Sequence, residues 1–276
     1  MSLNIKKISL RNLLIFIYSF KIFKRLIPSI VRRLYKKKEF FITLDNFKIF
    51  LNVESSIDRE IYLKGIYDKE KIKFVENTID LNRFDLFFDI GSYIGYYTLY
   101  FASKYKNLET LSFEPIFESY NQIKKSKEIN NLHRSRIFNY ALSNLKAEKK
   151  FWVTDRKKKS GFALLNENDL KREVKENKYN VDKIIFRKVQ TEILDEKFKF
   201  TNKSIFVKID VERHEFEVLL GAINFFSKNE NKIFLQIEIV DHLNEKVLEL
   251  LKKYNFRLLH SINKGGHDYF LSNYKI

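Results

Sequence analysis

Residues 86–102 read LFFDIGSYIGYYTLYFA: an apolar run closing on an acid, then a glycine, three residues, a second glycine and an amphipathic stretch. The pattern predicts a β-strand, a tight turn and the start of a helix. A strand that delivers Asp89 into a turn left open to close approach by Gly91 and Gly95 is how a doubly wound α/β sheet holds a nucleotide-like group at its carboxyl edge. The next apolar run, LETLSFEP at 108–115, reaches Glu114, about where such a fold places a ribose-binding carboxylate. The spacing points to an adenosine-containing ligand.

What is missing narrows the ligand. A dinucleotide fingerprint is G-x-G-x-x-G, whose close glycine pair lets a pyrophosphate rest on a helix N-terminus; here the pattern is D-x-G-x-x-x-G. A carboxylate at the strand end repels phosphate but suits a ligand carrying a sulfonium and an ammonium, so S-adenosylmethionine fits better than NAD. The plainer alternative is that the two glycines only ease packing of the helix on the strand.

The 276 residues, 45% hydrophobic and 16% aromatic, are enough for one sizeable core plus an appendage. The chain has no cysteine, which excludes disulfides, thiolate metal sites and a cysteine nucleophile. No histidine pair has the spacing of a helical zinc site. The net charge of +17 is concentrated at one end, because residues 1–38 hold eleven Lys or Arg and no acid. Within them NLLIFIYSFKIFKRLI, 12–27, puts Leu13, Phe16, Ile17, Phe20, Phe23 and Ile27 on one helical face, with Lys21, Lys24 and Arg25 turned away. Pro28 breaks or kinks the run and VRRLYKKK follows. Charges interrupt the segment well short of the roughly 20 apolar residues a membrane span needs, and it lacks the small-residue cleavage site of a signal peptide. The expectation is a cytoplasmic protein whose residues 1–38 anchor it peripherally on an anionic membrane surface, at the inner face. Two alternatives stay open: packing against its own domain or a second subunit in a homo-oligomer, and a nucleic-acid arm, which is not the expected partner.

Beyond the arm the chain alternates. FFITLDNFKIFLNV, 40–53, predicts a hairpin turning at Asp45 and Asn46, and 55–79 a helical stretch, together a lead-in over 39–84. Strand signals recur at 85–90, 108–114, 135–142, 204–211, 232–240, 256–262 and 267–273 within a catalytic domain over 85–276. Helical patterns between them imply a seven-stranded, mostly parallel sheet. The last two strands are separated only by NKGG and must pair as an antiparallel edge hairpin. Residues 156–183 interrupt the alternation as a charged insertion, either a surface loop or a lid at the ligand mouth.

A second chemically dense stretch is SIFVKIDVERHEFEVLLGA, 204–222. Lys208, Asp210 and Glu212 alternate and so share one side of the strand, with His214 and Glu215 at the turn into the next helix. Charges at the end of a buried parallel strand are costly unless paired or used. Lys208 is read as pairing with a neighbouring carboxylate, and Asp210 as functional, across the cleft from Asp89.

DIGSYIGYYTLYFA, FEP with Glu114, NYALSN at 139–144, TEILDEKF, VKIDVERHEFEVLLGA and QIEI ending near Glu238 occur in an order and spacing that resembles the FkbM family of S-adenosylmethionine-dependent methyltransferases, over roughly 40–273. The resemblance implies a class I methyltransferase (Rossmann-like) fold and O-methylation, commonly of sugar hydroxyls in bacterial glycans, glycolipids or natural products. Carried over by position, Asp89, Gly91, Tyr93 and Gly95 match the methionine-end loop, Glu114 the ribose acid, Ala141 the adenine-side loop, and Asp210, Glu212, His214 and Glu215 the fourth-strand motif. The family usually has Ala-Asn at Ser92-Tyr93 and Gly at Arg213. Arg213 either recognises an anionic sugar or phosphate on the acceptor, or is drift.

Methyl transfer needs a hydroxyl aligned with an already activated methyl group and a base for its proton. Asp210 and His214 are the candidate bases, with Glu212 beside them; Arg213, Glu238 and His242 are candidates to line the acceptor pocket. A divalent metal is not expected, although Asp210, Glu212 and Glu238 are hard oxygen ligands that would suit one. The acceptor is read as a small molecule or a glycan. Ribose O-methylation of RNA and a non-catalytic membrane module are the rival readings.

Overall fold

The computed structural model describes residues 2–154, 163–164, 171, 184–228, 230–239, 244–263 and 267–276. Helix α1 (Ser2–Ser19) and helix α2 (Ile27–Leu34) are separated by a short 3-10 turn, and Pro28 stands in the first turn of α2, where its missing N–H is no loss. The helical run expected over 12–27 ends earlier, at Ser19, and Pro28, expected to break it, stands at the start of the second helix. Strands β1 (Glu39–Thr43) and β2 (Lys48–Asn52) form the expected hairpin. The helical stretch that follows is two helices, α3 (Ser56–Lys64) and α4 (Lys69–Thr78). Ser55 caps α3 by accepting from Asp58 N, and Gly65 closes it, so the chain turns before α4 and presents Tyr67 and Asp68 on the connection.

Next come β3 (Leu86–Ile90), α5 (Tyr96–Lys104), β4 (Glu109–Phe113), α6 (Phe117–Ile129) and β5 (Ser135–Phe138). Strands β6 (Ala141–Leu142), β7 (Ala147–Thr154), β8 (Ala163–Leu164) and β9 (Ile184–Glu192) lie between this half and α7 (Leu194–Lys197). The second half is β10 (Ser204–Ile209), α8 (Glu215–Leu220), α9 (Ile223–Ser227), β11 (Lys232–Ile239), α10 (Asn244–Lys253), β12 (Arg257–Asn263) and β13 (His267–Ser272).

The main sheet has the order β12-β13-β11-β10-β3-β4-β5. All neighbours pair parallel except β13, which runs antiparallel to both β11 and β12. The seven-stranded class I methyltransferase sheet with its reversed edge hairpin is therefore present, and the order in which strands are added to the sheet reverses between β3 and β10, where such sheets bind ligands. Strands buried on both faces read as continuous apolar runs, which is why LFFDI and SIFVKI were legible. Phe87, Phe206 and Phe234 pack one face with α5 and the lead-in; Phe88, Leu111, Val207 and Leu235 pack the other with α8 and α10.

Two expectations are corrected. The strand expected at 135–142 is divided: β5 stays in the main sheet, Asn139 Nδ2 donates to the carbonyls of Glu114 and Pro115, and β6 crosses into a separate four-stranded sheet of order β6-β9-β7-β8. The strand expected at 204–211 ends at Ile209, because Glu212 and Arg213 turn left-handed. Of the insertion 156–183, only Ala163, Leu164 and Lys171 are among the described residues.

The arm packs on its own chain. Leu14, Ile27 and Val31 are buried in one cluster with Ile61, Tyr62 and Leu63 of α3, each side chain contributing roughly 1.5–3 kcal/mol by burial. Arg11 Nε donates to Tyr62 O at 3.0 Å, and its guanidinium lies over the Tyr62 ring. Ile27, expected on the outward face, belongs to this inner one.

Candidate active site

The register of the main sheet arranges one of its faces in layers. Phe87, Phe206 and Phe234 are neighbours across β3, β10 and β11; two residues on, Asp89, Lys208 and Gln236 are neighbours; two further, Asp210 follows β10 while Glu238 pairs with Asp268 of β13. Moving toward the carboxyl edge, this face therefore changes from aromatic to polar to acidic, and the last layer lies at the point of topological reversal.

Gly91 sits where β3 leaves this edge. Its N–H donates to Phe113 O at 3.0 Å, and φ is +79°. A Cβ placed there would lie 1.9 Å from the carbonyl oxygen of Asp210. The loop after β3 is thus wedged between the ends of β4 and β10, a close approach only glycine permits. Gly95 begins α5 at the far end of that loop. Tyr93, between them, is left-handed at φ +51°, uncommon for an aromatic residue. Its N–H donates to Glu114 Oε2 at 2.9 Å, and its hydroxyl shares a 2.9 Å hydrogen bond with Ser55 Oγ, which ties the loop to the lead-in. Glu114 is buried at the end of β4, and its Oε1 accepts from Ile116 N at 2.8 Å. The two backbone donors fix this carboxylate beside the loop.

Asp89 is buried beneath the same turn. Oδ2 accepts from Thr98 N at 3.1 Å and Thr98 Oγ1 at 2.6 Å, which pins the first turns of α5 to β3. Oδ1 is buried with no hydrogen-bond partner among the described residues. Burial raises this carboxyl above the usual range, against the opposing charge of Lys208 and the bonds from Thr98.

The acidic layer is more elaborate than the sequence suggested. Lys208 Nζ, buried and 5.0 Å from the centre of the Tyr97 ring, donates to Asp210 Oδ2 at 2.9 Å. Burial would lower the Lys208 ammonium, but Asp210 and Asp89 outweigh it and push it up to about 12. Burial raises Asp210, and Lys208 and Lys71 more than reverse it, holding the carboxyl below its ordinary value. Glu238 differs: burial and the charge of Asp210 push it up to about 7, with Lys71 opposing. Lys71 Nζ, from α4, stands 2.5 Å from Asp268 Oδ2, 3.3 Å from Glu238 Oε2 and 3.6 Å from Asp68 Oδ2. Tyr97 OH donates to Asp68 Oδ2 at 3.3 Å, and Gln236 Nε2 donates to Asp268 Oδ1 at 3.1 Å. Four carboxylates thus surround two ammonium groups. Lys71, Asp68, Tyr97 and Asp268 were absent from the sequence reading; Lys71 lies among evenly spaced lysines at 69, 71 and 73, and nothing local marks it.

The turn after β10 is strained. Glu212 and Arg213 have φ of +53° and +75° in succession, a geometry that favours glycine. Glu215 Oε1 reaches back to accept from Arg213 N at 3.1 Å and Val211 N at 3.3 Å. Glu212 is exposed beside this turn. His214 turns elsewhere: it is buried, its Nε2 lies 2.9 Å from Ser143 Oγ, and burial followed by the nearby charge of Lys149 lowers it to about 4. Ala141 pairs with Thr191 in the second sheet, two residues before Ser143. The structure therefore brings together Asp210 and Glu238, sets Gly91, Tyr93 and Glu114 around the adjacent loop, and binds His214 to the Ala141 side. His242 lies outside the described residues. Among those residues, no group of three or more His, Cys, Asp or Glu is arranged to hold a metal ion.

Burial raises Glu215 to about 8, with Asp210 adding to it against the backbone donors. The folded state keeps this proton up to about pH 8, whereas the unfolded chain releases it near 4.5. Glu215 therefore contributes stability at low pH that is lost as pH rises through 8. His214 releases its proton near 4 when folded and 6.5 when unfolded, so it is silent above that window. Thermal denaturation should show the wild-type melting temperature falling between about pH 6.5 and 8, and Glu215→Gln should flatten the fall. An unchanged slope in the variant would place the titration elsewhere.

A model of the methyltransferase FkbM domain matches residues 89–258, well over half of the chain. The chain belongs to the FkbM methyltransferase family. Among solved structures, methyltransferase FkbM from Methylobacillus flagellatus is similar at 13% identity over 77% of this chain and 52% of that one, with a TM-score of 0.48. The chain thus spans about half the length of that protein. A putative transferase from Pyrococcus horikoshii matches at 13% identity over 85% and 70%, TM-score 0.43, and M. jannaschii TYW2 in complex with AdoMet at 12% over 86% of each, TM-score 0.41. No curated protein matches. S-adenosylmethionine is the cofactor that membership in this family implies, and the residues present fit it. The Gly91 loop allows close approach, the Glu114 carboxylate is fixed beside that loop, the edge is acidic toward a cation, and Asp89 Oδ1 is a buried acceptor with no hydrogen-bond partner among the described residues.

Proposed function

We propose that this methyltransferase carries out O-methylation of a sugar hydroxyl in a bacterial glycan or lipid-linked saccharide. The observation that carries the reading is the pair of carboxylates at the ends of adjacent parallel strands, Asp210 kept ionised by Lys208 and Glu238 held near neutrality beside Lys71. When bound, S-adenosylmethionine supplies an activated methyl group. Gly91, Tyr93 and Glu114 would hold it against the end of β4. Asp210 accepts a hydrogen bond from the acceptor hydroxyl and orients its oxygen. Glu238, titrating near the working pH, takes the proton as the oxygen becomes nucleophilic, the range in which a general base is most effective. Lys71 limits the rise of Glu238 and keeps it available as an anion. A neutral acceptor suits this acidic mouth, where an anionic one would be repelled. His214, bound to Ser143, orders the loop after β6 in this mechanism and takes no proton.

Transfer of labelled methyl groups into whole-cell fractions sorted into glycan, lipid and RNA tests the proposal. Label is expected in saccharide of the glycan or lipid fraction; label confined to RNA, or on nitrogen, would overturn it.

A further inference from the structure

We infer that the outward face of residues 13–34 is a docking surface for an anionic lipid bilayer. Eight of the eighteen large hydrophobic side chains that stand exposed among the described residues fall in this short segment. Ile22 is 83% exposed, Phe16 63% and Leu26 56%, with Leu13, Phe20 and Ile30 beside them. Such a density is a patch and not the scatter that any surface carries. The segment is also no loose tail. Its opposite side, Leu14, Ile27 and Val31, is buried against α3, and Arg11 is spent on Tyr62, so the apolar face is held outward by the fold.

Charge selects the occupant. Lys21, Lys24, Arg25, Arg33, Lys36 and Lys37 are exposed and have no acidic partner among the described residues, and residues 1–38 contain no acid at all. A second copy meeting this face through a twofold axis would appose the same cations, and the contact would repel itself. A nucleic acid would satisfy the cations and leave the phenylalanines and isoleucines in water. A bilayer with anionic headgroups satisfies both, apolar side chains entering the acyl boundary and ammonium and guanidinium groups meeting phosphate. Among the described residues no helix is long and apolar enough to cross a membrane, so the contact is in the plane of the interface.

The test is co-sedimentation of the full chain with phosphatidylcholine vesicles and with vesicles containing about one quarter phosphatidylglycerol. The wild-type chain is expected to pellet with the anionic vesicles, and to do so less as salt is raised. Phe16→Ser/Ile22→Ser/Leu26→Ser, all outward residues, should weaken that binding at least about tenfold. Lys21→Glu/Lys24→Glu/Arg25→Glu should remove the preference for anionic lipid. Both variants should keep the melting temperature and S-adenosylmethionine affinity of wild type, which separates lost docking from lost folding or catalysis. A wild-type chain left in the supernatant with both vesicles, an apolar variant that binds as wild type, or a wild-type dimer dispersed by the apolar substitutions would each overturn the inference.

Discussion

Gly91→Ala is expected to abolish S-adenosylmethionine binding, leaving no heat above dilution in calorimetry, and to cost about 3 kcal/mol or more of stability. The added methyl would meet two backbone atoms, the Asp210 carbonyl oxygen at 1.9 Å and its carbon at 2.8 Å, and neither can rotate away. The other side of the loop is tied to Phe113, so relief requires the ends of β3 and β10 to part. Gly95→Ala provides the internal comparison. There φ is also left-handed, at +74°, but the added methyl meets only side-chain atoms, Ile123 Cγ2 at 2.8 Å and Cγ1 at 3.0 Å, and no backbone, so binding should weaken without vanishing. If Gly91→Ala binds the cofactor as wild type does, this loop is not its cradle.

Asp210→Asn is expected to lose about 10²–10⁴-fold in methyl transfer while cofactor affinity stays within a few fold. The same change leaves the buried Lys208 ammonium facing a neutral amide, at a stability cost of about 1–3 kcal/mol, less than for a fully buried pair because Asp210 is partly exposed. Glu238→Gln separates the two carboxylates by pH. It should remove the acid limb of the rate profile near pH 7, whereas Asp210→Asn should lower the rate at every pH and move that limb to lower pH, because the Asp210 charge helps hold Glu238 up. Transfer at the wild-type rate in both variants would move the reacting hydroxyl to another part of the molecule.

The strands of the main sheet were legible because the central ones are buried on both faces and their sequences are nearly unbroken apolar runs. β7 and β9 were missed for the opposite reason. AEKKFWVT and IIFRKVQTE form a partly exposed antiparallel pair, and their lysines and arginine dilute the signal that marked the others. In the site, Gly91, Glu114 and Asp210 were found because each ends a readable strand. His214 was correctly placed at a helix start, but its direction was not legible, since its partner Ser143 is 71 residues away. Lys71 and Asp268 were invisible for a similar reason: their significance is a contact between segments at opposite ends of the chain. The left-handed pair at Glu212 and Arg213 had one trace, the glycine usual at the second position in the family.

The Lys71–Asp268 contact also bears on inheritance. The family model matches residues 89–258, and Lys71 precedes that segment while Asp268 follows it. The two flanks clasp each other directly above Glu238. The contact is thus made wholly by residues outside the matched segment, one from each side of it. A chimera joined at the limits of 89–258 would keep this pair only if both flanks came from the same parent.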